Sequence, residues 1–140
     1  MLYSEITKRI IGAAFAVHNE LGNGFQEVIY QRALEIEMAT NHLHAVREKE
    51  FPIFYRGQQI GTRRADFLVE GVILVELKAL TELEKAHYTQ IRNYLEAYRL
   101  HVGLLINFGE PSLKCHRWDN DKLPPPIDHP NDLKSSTTTT

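Results

Sequence analysis

The first forty residues have apolar positions at the spacing of two helices. From Ser4 to about Leu21, apolar residues recur every three or four positions, which is the period of one helix face. These residues are Ile6, Ile10, Ala14, Val17 and Leu21. Ser4 is expected to be the N-cap of this helix. After two glycines, a second helical run extends to about residue 40, with an expected core face of Ile29, Ala33 and Ile36.

Between Val46 and Lys78 the helical spacing of apolar residues gives way to short apolar runs. Short runs rich in Phe, Ile, Val and Tyr are separated there by Arg56-Gly57-Gln58 and by Glu70-Gly71, which is typical of strands joined by hairpins. Three strands are therefore predicted. Next, Thr81-Glu82-Leu83-Glu84 matches a capping box, and apolar residues at helical spacing predict a third helix that ends near residue 100.

A nearly continuous apolar run from Val102 to Phe108 predicts a strand buried on both faces. Reaching it through the third helix would make a parallel crossover, and a last strand is expected from Leu113 to Trp118. The order ααβββαββ implies an α/β fold with a mixed β-sheet flanked by helices. We expect one domain over residues 1–120 and a flexible, Pro/Thr-rich tail over residues 121–140.

Composition narrows the class of protein. The single cysteine, Cys115, excludes a disulfide framework or a four-cysteine zinc site within one chain and fits a reducing compartment. The N-terminus has no pattern of a secretory signal, and no stretch reaches the roughly 18 apolar residues of a membrane span. We therefore expect a cytoplasmic protein without a membrane segment.

The charge balance gives no general attraction to nucleic acid. Sixteen Lys and Arg residues against eighteen Asp and Glu residues leave a net charge of −2. A metal site uses several carboxylates, however, so this balance can hide a locally basic rim. The candidate residues for such a rim are Arg63, Arg64, Lys85, Arg92 and Arg99.

Three ionisable residues lie among the apolar residues of the second and third strands. Side chains alternate between the two faces of a strand, so Glu76 and Lys78 must share a face. Asp66 joins them only if the hairpin loop has an odd number of residues, because a two-residue loop would send it to the other face. We favour a three-residue loop, Val69-Glu70-Gly71, which pairs Leu68 with Val72.

Two carboxylates on one face repel each other and lose hydration, at a cost of several kcal/mol per ion, unless a cation intervenes. Mg²⁺, or Mn²⁺ in its place, fits this position because hard divalent ions prefer oxygen ligands and also bind phosphates. Lys78 would then orient or help to deprotonate an attacking water and stabilise the pentacovalent phosphate. The alternative is that Glu76 and Lys78 form an ordinary ion pair on a solvated strand face.

With these residues, the chain resembles the PD-(D/E)XK nuclease superfamily and specifically the small bacterial group of GxxExxY proteins. The motif of that group is intact at residues 24–30, Gly-Phe-Gln-Glu-Val-Ile-Tyr, and the resemblance extends from about Ser4 to Trp118. It implies a restriction-endonuclease-like core and Mg²⁺- or Mn²⁺-dependent phosphodiester hydrolysis, in DNA or alternatively in RNA. It also implies that Glu27 and the backbone carbonyl of Leu77 join Asp66 and Glu76 at the metal.

Gln90 and Tyr94 are similar to the Gln-x-x-x-Tyr element of RecB-like exonucleases in the same superfamily. A spacing of four residues places both on one helix face. By this resemblance Gln90 positions a phosphate or Lys78, and Tyr94 stacks on a base or sugar, with core packing as the alternative for Tyr94. The partner is expected to be nucleic acid, with a homodimer or a larger protein partner as further options. A contrasting hypothesis is a non-catalytic binding or interaction module that keeps the nuclease scaffold.

Overall fold

The computed structural model of the protein describes residues 1–126, which form three helices and a five-stranded sheet. The helices are α1 (Ser4–Leu21), α2 (Glu27–Thr40) and α3 (Lys85–Tyr98). The strands are β1 (Ala45–Tyr55), β2 (Gln58–Val69), β3 (Ile73–Lys78), β4 (Val102–Asn107) and β5 (Lys114–Asp119). The predicted α/β class and the order ααβββαββ are confirmed. Residues 127–140 lie outside the described residues, so the predicted tail stays a prediction.

The strands lie side by side in chain order, β1-β2-β3-β4-β5. All neighbours are antiparallel except β3 and β4, which are parallel and pair Ile73 with Val102 and Lys78 with Asn107. Parallel neighbours need a long crossover, and α3 provides it, as predicted. All six residues of β4 are buried, which confirms the assignment of the apolar run to a strand covered on both faces.

The sheet separates two hydrophobic clusters. On one face, α1 and α2 pack on residues such as Val75 and Leu77, whereas on the other face α3 packs on Leu74. Because side chains alternate along β3, Glu76 and Lys78 belong to the α3 side. Within residues 1–126, no helix is both long enough and apolar enough to cross a membrane.

The predicted core face of α2 is wrong for Ile29 and Ile36, whereas Ala33 is partly buried and packs against the core. Its buried residues are Tyr30, Gln31, Leu34 and Met38, whereas Ile29 and Ile36 are 41% and 68% exposed. The ring of Tyr30 stacks on Phe108 with 4.7 Å between ring centroids. Because Leu34 and Met38 follow Tyr30 at intervals of four, this contact sets the rotation of the helix about its axis.

Both predicted N-caps also need correction. Ser4 is the first residue of α1, and its N-cap is Tyr3, in the left-handed conformation at φ 58°. The capping box lies three residues later than predicted: Glu84 is the N-cap of α3, and its backbone N–H donates to Nδ1 of His87 at 2.8 Å. An imidazole nitrogen thus accepts the hydrogen bond that a Glu or Gln side chain takes in the usual box.

Candidate active site

The hairpin between β2 and β3 brings Asp66 level with Glu76. Val69 pairs with Ile73 and Leu68 with Leu74, so the loop contains the three residues 70–72. The predicted odd number of loop residues is confirmed, but the predicted pairing of Leu68 with Val72 is wrong.

The turn chemistry explains this register. Glu70 and Gly71 both have positive φ, at 53° and 70°, and the Val72 N–H donates to the Val69 carbonyl at 3.0 Å, as in a tight two-residue turn. Val72 is then one extra residue before β3, in the manner of a bulge. Continuing the ladder by one step brings Asp66 level with Glu76. Asp66 lies where the alternation of β2 changes, because Ala65 packs on the α3 side and Phe67 on the α1–α2 side.

Asp66 is fixed at the point where β2 and β3 separate. The ladder ends at the Phe67–Val75 pair, and beyond it the backbone N–H of Leu77 donates to Oδ2 of Asp66 at 2.8 Å. Nε2 of Gln31, from α2, donates to Oδ1 at 2.9 Å. Burial raises the pKa of Asp66, and these two hydrogen bonds oppose part of that rise.

Glu76 is a buried carboxylate with an arginine partner. Its residue is 4% exposed, and Arg63 donates from Nη1 to Oε2 and from Nη2 to Oε1, both at 3.2 Å. The Arg63 guanidinium also lies over the ring of Tyr94, 3.8 Å from its centroid. Burial, followed by the charge of Asp66, raises the pKa of Glu76 to about 7, while Arg63 and Lys78 oppose this rise.

Glu27 and Lys78 complete the charged cluster. Lys78 lies near enough to lower the pKa values of Glu27, Asp66 and Glu76, against the larger effect of burial. Glu27 is the first residue of α2, and burial, followed by the charge of Asp66, raises its pKa. The structure thus brings Glu27, Asp66 and Glu76 within electrostatic range of Lys78, although the catalytic and metal-binding roles of these four residues stay predictions.

Tyr30 holds the turn that leads to Glu27. Its side chain is fully buried, and its hydroxyl donates to the Gly22 carbonyl at 2.6 Å and accepts from the Phe25 N–H at 3.2 Å. Gly24, between these two residues, has φ 110°, a conformation that side chains rarely permit. The glycine and the tyrosine of the 24–30 motif therefore shape and fasten the loop, and the glutamate between them faces the site.

Three further predicted residues lie together on α3. Lys85, Gln90 and Tyr94 line one open pocket of about 580 Å³. The pocket is connected to Glu76 through Tyr94, because Arg63 lies over the Tyr94 ring and contacts Glu76. Tyr94 is engaged by Arg63 and also lies parallel to the ring of Tyr98, with 5.6 Å between centroids, so its contacts favour support of Arg63 over base stacking.

Arg64 lies away from this cluster. Its side chain is 65% exposed and forms ion pairs with Glu48 and Glu50 at 3.6 Å each. Strand alternation explains the difference, because adjacent residues of β2 point to opposite faces. Arg63 therefore faces the site and Arg64 does not.

Gln31 is a site residue that sequence reasoning missed. It is 5% exposed, donates to Asp66 and lies four residues after Glu27, hence on the same helix face. A polar residue between the buried apolar positions of α2 was the available signal. Its Oε1 is buried and has no hydrogen-bond donor within the described residues, which leaves one acceptor unsatisfied beside Asp66.

These donors fit a hard divalent cation. Among residues 1–126, no three His, Cys, Asp or Glu side chains are already gathered around one point as ligands, and Arg63 supplies the positive charge at Glu76. The available donors are nevertheless carboxylate oxygens, which Mg²⁺ and Mn²⁺ prefer. A hydrated cation beside Asp66 would also supply a donor to the unpaired Oε1 of Gln31.

A mixed sheet whose second hairpin presents Asp66 opposite Glu76, with Lys78 beside them, is the arrangement of one class of nucleases. The sequence model of the PD-(D/E)XK nuclease superfamily matches residues 4–118. The chain belongs to this superfamily, whose members are usually metal-dependent nucleases that hydrolyse phosphodiester bonds in nucleic acid.

One solved structure, described as the crystal structure of SSO0001, has a similar fold. The TM-score is 0.54 at 21% sequence identity, with 84% of this chain and 59% of that chain covered. The chain thus spans about three-fifths of the length of that protein, and at this identity the likeness shows the fold alone. A comparison with curated proteins finds no match.

Proposed function

We propose that this protein is a divalent-metal-dependent nuclease of the GxxExxY group, acting on DNA, in which Asp66, Glu76 and Lys78 carry out the hydrolysis. The observation that supports this most strongly is the position of Glu76. It is a buried carboxylate placed opposite a second one, with a lysine on the same strand face. Such an arrangement costs stability when nothing uses it.

In this proposal, the cation is held by Asp66, Glu76, Glu27 and the carbonyl oxygen of Leu77. Bound Mg²⁺ or Mn²⁺ supplies positive charge to the phosphate and makes water a better nucleophile at neutral pH. Lys78 orients the attacking water and stabilises the charge that develops on the phosphate oxygens. The hydrogen bonds from Gln31 and from the Leu77 N–H keep the Asp66 carboxylate in one orientation.

The substrate strand would lie along α3. Lys85 at the start of the helix contacts phosphate, and Gln90, five residues later in the same pocket, positions a phosphate next to the reacting one. Arg63 is the third contact, because a guanidinium binds a phosphate in the same two-pronged way in which it binds the Glu76 carboxylate. Tyr94 keeps Arg63 beside the pocket when the guanidinium leaves Glu76.

The test is cleavage of labelled single-stranded, duplex and branched DNA and of RNA, in Mg²⁺, Mn²⁺ or EDTA. We expect cation-dependent cleavage of DNA by the wild type and a loss of roughly a hundredfold or more in Glu76→Gln and Lys78→Ala. Glu20→Gln and Lys8→Ala, which change the same charges on the exposed side of α1, serve as matched controls and should cleave at the wild-type rate.

Calorimetric titration with Mn²⁺ distinguishes the proposed metal-binding role of Glu76 from the proposed catalytic role of Lys78. Glu76→Gln should weaken binding of the ion, because a ligand is lost, whereas Lys78→Ala should bind it at least as tightly. If the protein cleaved RNA in preference to DNA, the proposed substrate would change but the proposed hydrolysis mechanism would not. A folded wild type that binds no divalent ion and cleaves none of the four substrates would refute the proposal and favour the non-catalytic module.

A further inference from the structure

The β1–β2 hairpin extends beyond the rest of the sheet. The two strands pair along their whole length, from Ala45–Val69 to Tyr55–Gln58, whereas β2 meets β3 only through residues 67–69. Residues 51–63 therefore form a two-stranded projection, here called the ribbon arm. Two strands alone are marginally stable in water, so the arm needs support from another element.

An aromatic row fastens the base of the arm beside the candidate active site. The ring of Phe51 stacks on Tyr98 with 4.2 Å between centroids and 9° between planes. Tyr98 lies parallel to Tyr94, and Arg63 lies over Tyr94 while it contacts Glu76. The row thus connects the arm to the buried carboxylate, and it fixes where the arm begins relative to the site.

The tip of the arm exposes large apolar side chains. Phe54, Tyr55 and Ile60 are 58%, 60% and 66% exposed. Ile60 lies at a register shift in the hairpin, because Ile53 pairs with Gly61 but the next residue, Phe54, pairs with Gln59. Isolated exposed apolar residues are common, but several at one end of a projecting element indicate a contact surface.

The charges of the arm indicate a polyanionic partner. The arm, residues 51–63, contains two arginines, Arg56 and Arg63, and no Asp or Glu. Arg56, at the turn, lies 5.6 Å from the centroid of the Tyr55 ring. Aromatic rings beside arginines can stack on bases and neutralise phosphates, whereas two arms facing each other in a dimer would bring like charges together.

We propose that the ribbon arm is a nucleic-acid-binding element in which Tyr55 stacks on bases and Arg56 contacts the backbone. This rests on the proposed function, because the partner is the substrate of the same site. The five residue steps from Gln58 to Arg63 span about 17 Å at about 3.4 Å per residue. Duplex DNA advances about 3.4 Å per base pair, so the tip contacts the substrate about five nucleotides from the reacting phosphate.

The test is fluorescence anisotropy in EDTA, where binding is measured without turnover. The variant Tyr55→Ala/Arg56→Gln is compared with Phe15→Ala/Lys8→Gln, which removes one exposed aromatic ring and one positive charge from α1. Labelled oligonucleotides of about 4 and about 16 nucleotides, single-stranded and duplex, report on length. We expect the arm variant to bind the long substrate about 5- to 140-fold more weakly and the short one as the wild type does. The control should match the wild type on both.

Because binding is read without cleavage, this result is independent of whether the site hydrolyses DNA. Equal affinity of wild type and arm variant for the long oligonucleotide would overturn the inference. So would a wild-type dimer, seen by light scattering, that the arm variant converts to a monomer, since the tip would then be a protein–protein contact. Cleavage by wild type with unchanged binding by the arm variant would leave the proposed function standing without the arm.

Discussion

Raising the pH should destabilise the metal-free protein through Glu76. Burial and the charge of Asp66 raise the pKa of this carboxyl from its ordinary value of 4.5 to about 7. Between these values the folded protein binds a proton that the unfolded chain has released, so the free energy of unfolding falls as pH rises. At about 1.4 kcal/mol per pH unit, the loss amounts to about 3 kcal/mol and is complete above about pH 7.

Urea unfolding in EDTA, between about pH 5 and about pH 8, measures this loss. Glu76→Gln cannot ionise, so its stability should fall less steeply with pH than that of the wild type, and the slope that remains comes from Asp66 and Glu27, whose pKa values burial also raises. The matched control Glu20→Gln, on the exposed side of α1, should keep the wild-type slope. Parallel stability curves for wild type and Glu76→Gln would refute the argument. Adding Mg²⁺ should stabilise the wild type more at high pH than at low pH, because proton and cation compete for the same oxygens.

Three further predictions concern stability and reactivity. Tyr30→Phe keeps the ring but loses both hydrogen bonds of the hydroxyl, so urea unfolding should show that the free energy of unfolding falls by about 1–2 kcal/mol. A fall of less than about 0.3 kcal/mol would contradict a role of these hydrogen bonds in fastening the loop. Gly109→Ala would push a Cβ into the backbone of Leu80 and should cost more than about 2 kcal/mol, whereas Gly12→Ala meets nothing within 4 Å and should gain about 0.5–1 kcal/mol in helix α1. Burial raises the pKa of Cys115 to about 12, so iodoacetamide should modify the folded protein slowly at about pH 8 and rapidly in urea. Equal rates of modification in the folded and the urea-unfolded protein would contradict this prediction.

The order of elements could be predicted because their periods differ clearly. The apolar run of β4 is short and continuous, and the hairpin turns around Gly57 and Gly71 are local signals. The face of α2 could not be predicted in the same way. Periodicity counts apolar residues such as Ile29 and Ile36, but it does not include the stacking of Tyr30 on Phe108, which depends on two residues far apart in the chain.

The candidate site, like the fold, could be predicted from the sequence only in part. That Asp66 lies level with Glu76 follows from an odd number of loop residues, which was predicted from the glycine at position 71. The exact pairing did not follow, because a three-residue loop at 69–71 and a two-residue turn followed by Val72 have the same parity. The hydrogen bond from Gln31 to Asp66 depends on the angle at which α2 crosses the sheet, and no local sequence pattern specifies that angle.

The contacts of Arg63 bear on how a chain with a net negative charge could bind phosphate in the proposed function. Convergent carboxylates require a cation, and in the described residues the Arg63 guanidinium satisfies both oxygens of Glu76. In the proposed function, a divalent ion at those oxygens would compete with the guanidinium, and Tyr94 would keep the displaced positive charge at the edge of the α3 pocket. The released guanidinium matches a phosphate in geometry and charge. In the proposed function, the same arginine would compensate Glu76 before the metal binds and would be available to the substrate afterwards, which would make a net charge of −2 compatible with nucleic-acid binding.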